Sequence, residues 1–207
     1  MTSKEYFDKV AERWDSMRAE FFSEKVREKV VELAGAKPGM LVADVGAGTG
    51  FMTEELVKRG LRVIAIDQSE MMLQQLRRKL GDTAAVDCRL GESESLPVQS
   101  NVVDYVFANM YLHHVESPLN AIREMVRILK PGGKLFITDL DEHCFDFLKT
   151  EHHDRWMGFK REDIKNWLLT AGLKNVTVDC LGEDYCTKLC SGEKQARVSI
   201  FLASGEK

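Results

Sequence analysis

Apolar residues along this chain recur with two periods, and the switches between them mark out its elements. Phe7, Val10, Trp14 and Met17 stand three and four apart, which predicts one amphipathic helix over residues 4–17, with Tyr6 beside the stripe. Val26, Val30 and Leu33 repeat that spacing behind Ser23, with Glu24 in the first turn and Gly35 as the stop. Residues 41–45 form a short, mostly apolar run after the breaker pair Pro38-Gly39 and read as a buried strand. A helical pattern follows over residues 51–59, and a second strand over residues 61–66 ends at Asp67. Ser69 then caps a helix that buries Met72, Leu73, Leu76 and Leu80 and stops at Gly81.

Residues 84–88 read as a third, short strand, followed by an acidic loop over residues 91–97. A fourth strand covers residues 102–108, with Asp104 at its start. Ser117 as N-cap and Pro118 at the first helical position open a helix whose buried stripe is Leu119, Ile122, Met125, Val126 and Leu129. Lys130-Pro131-Gly132-Gly133 ends that helix, residues 134–138 are the next strand, and Asp139 closes it. The pattern finishes with a helix over residues 161–169, stopped near Gly172, and strands over 176–180 and 197–203 joined by a loop carrying Cys186 and Cys190. Alternating strands and helices from residue 41 onward predict an α/β fold with a doubly wound, mostly parallel sheet. Ligands of such folds bind beyond the carboxyl ends of the strands, so Asp44, Asp67, Glu92, Asn109 and Asp139 are expected to gather on one rim.

Composition narrows the function classes. A chain of 207 residues suits a single domain with a full core. A formal charge of −4 and a pI near 5.8 argue against a nucleic-acid surface. No apolar run is long enough to span a bilayer and no signal-peptide core is visible, so a cytoplasmic protein is expected. Five scattered cysteines contain no C-x-x-C pair, which removes a zinc ribbon or thioredoxin-type motif.

The chemistry centres on residues 41–50. Gly46, Gly48 and Gly50 let the backbone turn sharply between a strand and a helix N-terminus, where free N–H groups favour a carboxylate or phosphate. A dinucleotide fingerprint G-x-G-x-x-G would need glycine where Phe51 stands. Asp44 is awkward beside a pyrophosphate and favourable beside an ammonium or sulfonium group. Both features lean away from NAD. Asp67, about 20 residues past the turn, is placed to accept hydrogen bonds from ribose hydroxyls. Met71 and Met72 fit a core stripe, with one of them near enough to the strand end to touch a base.

Taken together these residues resemble a class I S-adenosylmethionine-dependent methyltransferase. Residues 42–50 are similar to the family's first motif, Asp67 to its ribose-binding acid, and Gly91-Glu92 with Leu96-Pro97 to its adenine loop. Residues 127–133 resemble the signature before the fifth strand. Tyr111-Leu112-His113-His114 resembles a segment of the ubiquinone/menaquinone and methyltransferase-11-type subgroup. The resemblance implies a seven-stranded, Rossmann-like sheet with the last strand antiparallel. It also implies an S-adenosyl-L-methionine site made by Asp44, Gly46, Ala47, Gly48, Asp67, Gln68, Met72, Glu92, Ser93 and Asn109. Within it Asp44 would face the ammonium, Gly46 and Gly48 the methionine moiety, and Glu92 the adenine amino group, with the Ser93 backbone beside it. Glutamate at 92 replaces the commoner aspartate.

The expected reaction is in-line methyl transfer to a small-molecule acceptor, with a general base needed only for a protonated acceptor. His113, His114 and Asp139 are the candidates for that end of the site, one histidine also reading as a packed or capping residue. Asp139, Asp141, His143, His152, His153 and Asp154 make an oxygen and nitrogen set, but spacing alone fixes no geometry and no metal is expected. Cys180, Cys186 and Cys190 fit buried hairpin residues better than a thiophilic site. Residues 1–35 are expected to form a helical lid, 36–140 the cofactor-binding core, and 141–207 a substrate-side helix and β-hairpin. A non-catalytic S-adenosylmethionine-binding regulator and an NAD-dependent oxidoreductase are the alternative readings.

Overall fold

The apolar runs assemble as one mostly parallel sheet in the computed structural model, which describes residues 2–81, 83–146, 148, 154–188 and 195–207. Among these, seven strands pair in the order β3-β2-β1-β4-β5-β7-β6. They are β1 (Leu41–Val45), β2 (Arg62–Asp67), β3 (Val86–Leu90), β4 (Val103–Asn109), β5 (Leu129–Leu140), β6 (Lys174–Lys188) and β7 (Gln195–Glu206). β7 runs antiparallel to both β5 and β6, and the other pairings are parallel. The strand order reverses direction between β1 and β4, which opens the crevice where such sheets take ligands.

Helices α3 (Lys25–Ala34) and α4 (Phe51–Lys58) cover one face, while α6 (Pro118–Ile128) and the helix we label α7 (Arg161–Thr170) cover the other. Period-2 alternation explains the division. Tyr105, Phe107 and Phe136 stack on the first face, with ring centroids 5.7–6.2 Å apart. Val106 and Ala108 point to the second and meet Ile122, Met125, Ile164 and Leu168. α5 (Glu70–Leu80) begins at Ser69, whose hydroxyl accepts the Met72 N–H at 3.1 Å. No helix among the described residues is long and apolar enough to cross a membrane.

Several elements depart from the periodicity. The first helix is two: α1 (Ser3–Val10), opened by a Thr2–Glu5 capping box, and α2 (Trp14–Phe21), with a 3-10 turn at Ala11–Arg13 between them. The tighter turn lies where Val10 and Ala11 bury against Met72. Glu24 stands at the N-cap position of α3, without a side-chain cap bond, rather than in its first turn, and the helix buries Val31 and Ala34 while Leu33, expected on that face, is exposed. Ser117 stands at the N-cap of α6 without a side-chain cap bond, and Leu129 belongs to β5, paired with Val103. β6 and β7 extend well beyond their apolar runs, so Cys186 sits in β6 opposite Arg197 rather than in a loop. Cys190, His152 and His153 lie outside the described residues.

Candidate functional site

At the end of β1 the chain turns at Gly46, whose φ of 75° favours glycine, and the N–H groups of Gly46 and Ala47 both donate to the Ile66 carbonyl. Glycine is also required by contact: a Cβ at 46 would come within 2.4 Å of the Tyr111 ring. Tyr111 reaches that place because Met110 adopts a left-handed φ of 50° at the end of β4. The Asp67 carboxylate ties the turn to β2, accepting the Gly48 N–H and the Ser69 N–H, each at 2.8 Å.

Asp44 lies beside this turn, 1% exposed, and accepts the Thr53 hydroxyl at 2.6 Å. Burial pushes its carboxyl up to about 7 against the help of Thr53, and the nearby Asp67 pushes the same way. Asp67 is itself raised, because burial outweighs the N–H groups of Ser69, Gly48 and Gln68. Neither acid forms an ion pair among the described residues.

A cavity of about 470 Å³ opens over these groups, within the size range of small-molecule sites. Asp44, Gly46, Ala47, Gly48, Asp67, Gln68, Met72, Glu92, Ser93 and Asn109 all line it. His114 joins them. Lys4, Phe7, Trp14, Arg18 and Phe22 form its roof, held by two hydrogen bonds: Ser69 donates to Asp8 and Thr49 to Asp15, each at 2.6 Å. Arg18 lies 4.4 Å from the Phe51 ring centroid and pairs with Glu24 at 2.7 Å.

Two expected residues are not on the rim. Asp139 is fully buried behind the wall, where its Oδ1 meets His113 Nδ1 at 2.6 Å. His113 also turns inward, because residues 112–114 form a 3-10 turn that sends neighbouring side chains to different sides. Burial opposes charge on His113, yet the carboxylates of Asp139 and Asp154 overcome it and hold its pKa up at about 9. Asp154 is raised to about 6 by burial, against the attraction of His113. The larger oxygen and nitrogen set divides: Asp141 is held by Arg161 at 2.6 and 2.7 Å and by the Ser199 hydroxyl. Asp154 instead joins His113 and His114.

Tyr111 and Arg155 also line the cavity and were not singled out in the sequence. Tyr111 opens the segment Tyr111-Leu112-His113-His114, which is its one signal in the sequence. Arg155 has none, since its position depends on its N–H donating to the His113 carbonyl at 2.9 Å.

Residues 43–137 match the family described as "Methyltransferase domain". The chain is 34% identical over 154 residues to a demethylmenaquinone methyltransferase of Renibacterium salmoninarum, covering 73% of this chain and 64% of that protein. It is 36% identical over 125 residues to a ubiquinone/menaquinone biosynthesis C-methyltransferase of Shewanella sediminis, covering 58% of this chain and 50% of the relative. The chain thus spans less than two thirds of the length of either curated relative. A crystal structure of a SAM-dependent methyltransferase from Aquifex aeolicus superposes with a TM-score of 0.70 at 26% identity, covering 96% of this chain and 97% of that one. Motif order, sheet topology and these likenesses agree: residues 43–137 carry a methyltransferase domain, and the chain is similar to S-adenosylmethionine-dependent methyltransferases of class I.

Proposed function

We propose that the cavity binds S-adenosyl-L-methionine and that the chain transfers its methyl group to a small-molecule acceptor. The observation that carries this reading is the buried Asp44 beside Asp67, two acids in one wall of which neither forms an ion pair among the described residues. Burying such carboxylates is costly until a positive partner arrives, and the ligand's ammonium and sulfonium supply one. A dinucleotide phosphate would meet repulsion at the same place.

The bound cofactor supplies a methyl group already activated by its sulfonium. The residues therefore bind, orient and exclude water, and orientation alone can contribute roughly 7–11 kcal/mol. We assign Asp44 to the ammonium, the backbone of Gly46, Ala47 and Gly48 to the methionine moiety, and Asp67 with Gln68 to the ribose. Met72, Glu92 and Ser93 take the adenine, and Asn109 flanks the transfer region. The first 35 residues serve as a lid, since Phe7, Trp14 and Phe22 already roof the cavity. His114 stands at the acceptor end, and His113 with Asp139 positions it from behind.

The acceptor we propose is a small aromatic molecule of the quinol type. The names of two relatives support this, as do Phe7, whose ring centroid lies 5.0 Å from that of His114, and the cavity-lining Val115. Calorimetry should show binding of S-adenosylmethionine and none of NAD. Incubation with a naphthoquinol should convert S-adenosylmethionine to S-adenosylhomocysteine. Binding without turnover over a panel of quinols and phenols would reduce the reading to a cofactor-binding protein.

A further inference from the structure

The most unusual cluster outside the turn lies behind the acceptor end of the cavity. His113 Nε2 stands 3.7 Å from Asp154 Oδ1, and His114 Nδ1 stands 3.9 Å from the same oxygen. One ligand atom from each of the three residues lies within 4.8 Å of the other two, and the side chains are 6%, 12% and 3% exposed. These separations are too long for hydrogen bonds. They are also shorter than the roughly 4.5 Å that a water bridging two groups at ordinary hydrogen-bond lengths needs. They are close to the spacing of about 3.3 Å between ligand atoms around a tetrahedral ion with bonds of about 2.0–2.1 Å.

The surroundings also match. Asp139 receives His113 Nδ1 at 2.6 Å, which fixes the ring and leaves Nε2 aimed at Asp154. A carboxylate behind a ligating histidine is the usual second layer of a metal centre, where it orients the ring and raises its basicity. Metal ligation releases the Nε2 proton of His113 to solvent; with both imidazoles then neutral, Asp139 and Asp154 bring two negative charges, which one divalent cation balances. Arg155 and Trp156 N–H groups donate to the His113 carbonyl, and the Trp156 indole donates to the Val115 carbonyl. The segment after Asp154 is thereby pinned to the loop carrying both histidines.

We propose that His113, His114 and Asp154 form a binding site for a divalent first-row transition metal, best suited to Zn²⁺, with Asp139 as the positioning carboxylate. Two nitrogens and one oxygen leave at least one coordination position free. His114 lines the cavity, so that position adjoins the acceptor. The cation binds an acceptor oxygen there and favours its deprotonated form, the proton passing to solvent water. His114 then meets the acceptor through the metal. This role rests on the methyl-transfer reading; the site itself does not.

The test is metal content and affinity of the full chain, prepared without a histidine tag and equilibrated with Zn²⁺ or Co²⁺. One ion per chain is expected, with Co²⁺ giving a visible absorption band of a low-coordinate nitrogen and oxygen site. Asp154→Asn and His114→Ala should weaken binding at least 100-fold, and Asp139→Asn about 10- to 100-fold. Replacing all five cysteines by serine should leave it unchanged. Wild-type chain should gain thermal stability with Zn²⁺, and the near-isosteric Asp154→Asn should not; its melting without metal checks that it folds. Absence of stoichiometric binding, or equal binding by Asp154→Asn, overturns the site. S-adenosylmethionine calorimetry on the same samples separates the readings. Cofactor binding without metal binding sinks only the metal site, and metal binding without cofactor binding sinks only the proposed activity.

Discussion

Asp44 shows how a single side chain can carry both the cost and the purpose of a site. It holds its proton up to about 7 when folded, against an ordinary 3.8. Between those values the folded chain binds more protons than the unfolded one, so the stability of the unliganded protein falls as pH rises from about 4 to 7. A cationic ligand reverses the preference, because it binds the carboxylate and expels the proton. Affinity for S-adenosylmethionine should therefore climb with pH, approaching tenfold per unit below pH 7 and flattening above it. Asp44→Asn should remove the slope and, without ligand at pH 8, raise the melting temperature. Calorimetry from pH 5.5 to 7.5 in both proteins checks this; a slope retained in the variant would assign the titration elsewhere. Gly46→Ala makes a second residue-scale case. The φ of 75° alone costs about 1–3 kcal/mol for a side chain, and the Cβ collides with Tyr111. We expect a loss of at least that size in denaturant unfolding. Gly35→Ala, at φ 63° with no neighbour within 4 Å, should cost less.

At the scale of elements, α1 and α2 reach the sheet through few polar bonds. Ser69 donates to Asp8 and Thr49 to Asp15, and these donors stand just before α5 and α4, whose first turns border the cavity. Lys79 adds a 2.6 Å pair to Asp15. These carboxylates are partly exposed, so together they hold the roof by about 1–2 kcal/mol. Asp8→Ala with Asp15→Ala should speed release of S-adenosylmethionine about five- to thirtyfold, read by stopped-flow, with little change in melting temperature. An unchanged release rate would make α1 a fixed wall rather than a lid. The apolar stripe Phe7, Trp14 and Met17 is visible in the sequence, and so is its helical period. Its break at Ala11–Arg13 is not, because the break answers to Met72 on another helix. The same limit applies to Asp139, which the sequence places at a strand end, as a rim residue should be, and which lies within β5. Its inward turn comes from His113, a partner 26 residues away that periodicity does not name.

The whole molecule adds a coupling that no local pattern contains. The C-terminal hairpin of β6 and β7 curls back onto the N-terminal helices. Tyr185 of β6 packs on Phe21 and Phe22, with ring centroids 5.4 and 6.4 Å away, and Glu183 pairs with Lys29 at 2.6 Å. Phe22 lines the cavity and packs against Phe51 at the start of α4. A chain of contacts thus runs from the hairpin, through the roof, to the helix after the glycine turn. The sequence shows the core motifs from residue 41 to 140 because each sits on its own strand or turn, where neighbours along the chain determine its conformation. The hairpin's reach is hidden because Tyr185 lies beyond the apolar runs that marked β6, and its partners are more than 160 positions earlier. Tyr185→Ala removes a buried ring that touches no part of the cavity lining except Phe22 in these aromatic contacts. Loss of such a ring typically costs about 3–5 kcal/mol of stability. If the hairpin braces the roof, cofactor affinity should also fall severalfold at temperatures where the variant remains folded, while Tyr185→Phe restores both. A variant that loses stability yet binds S-adenosylmethionine as the wild type does would show that the roof stands without the hairpin.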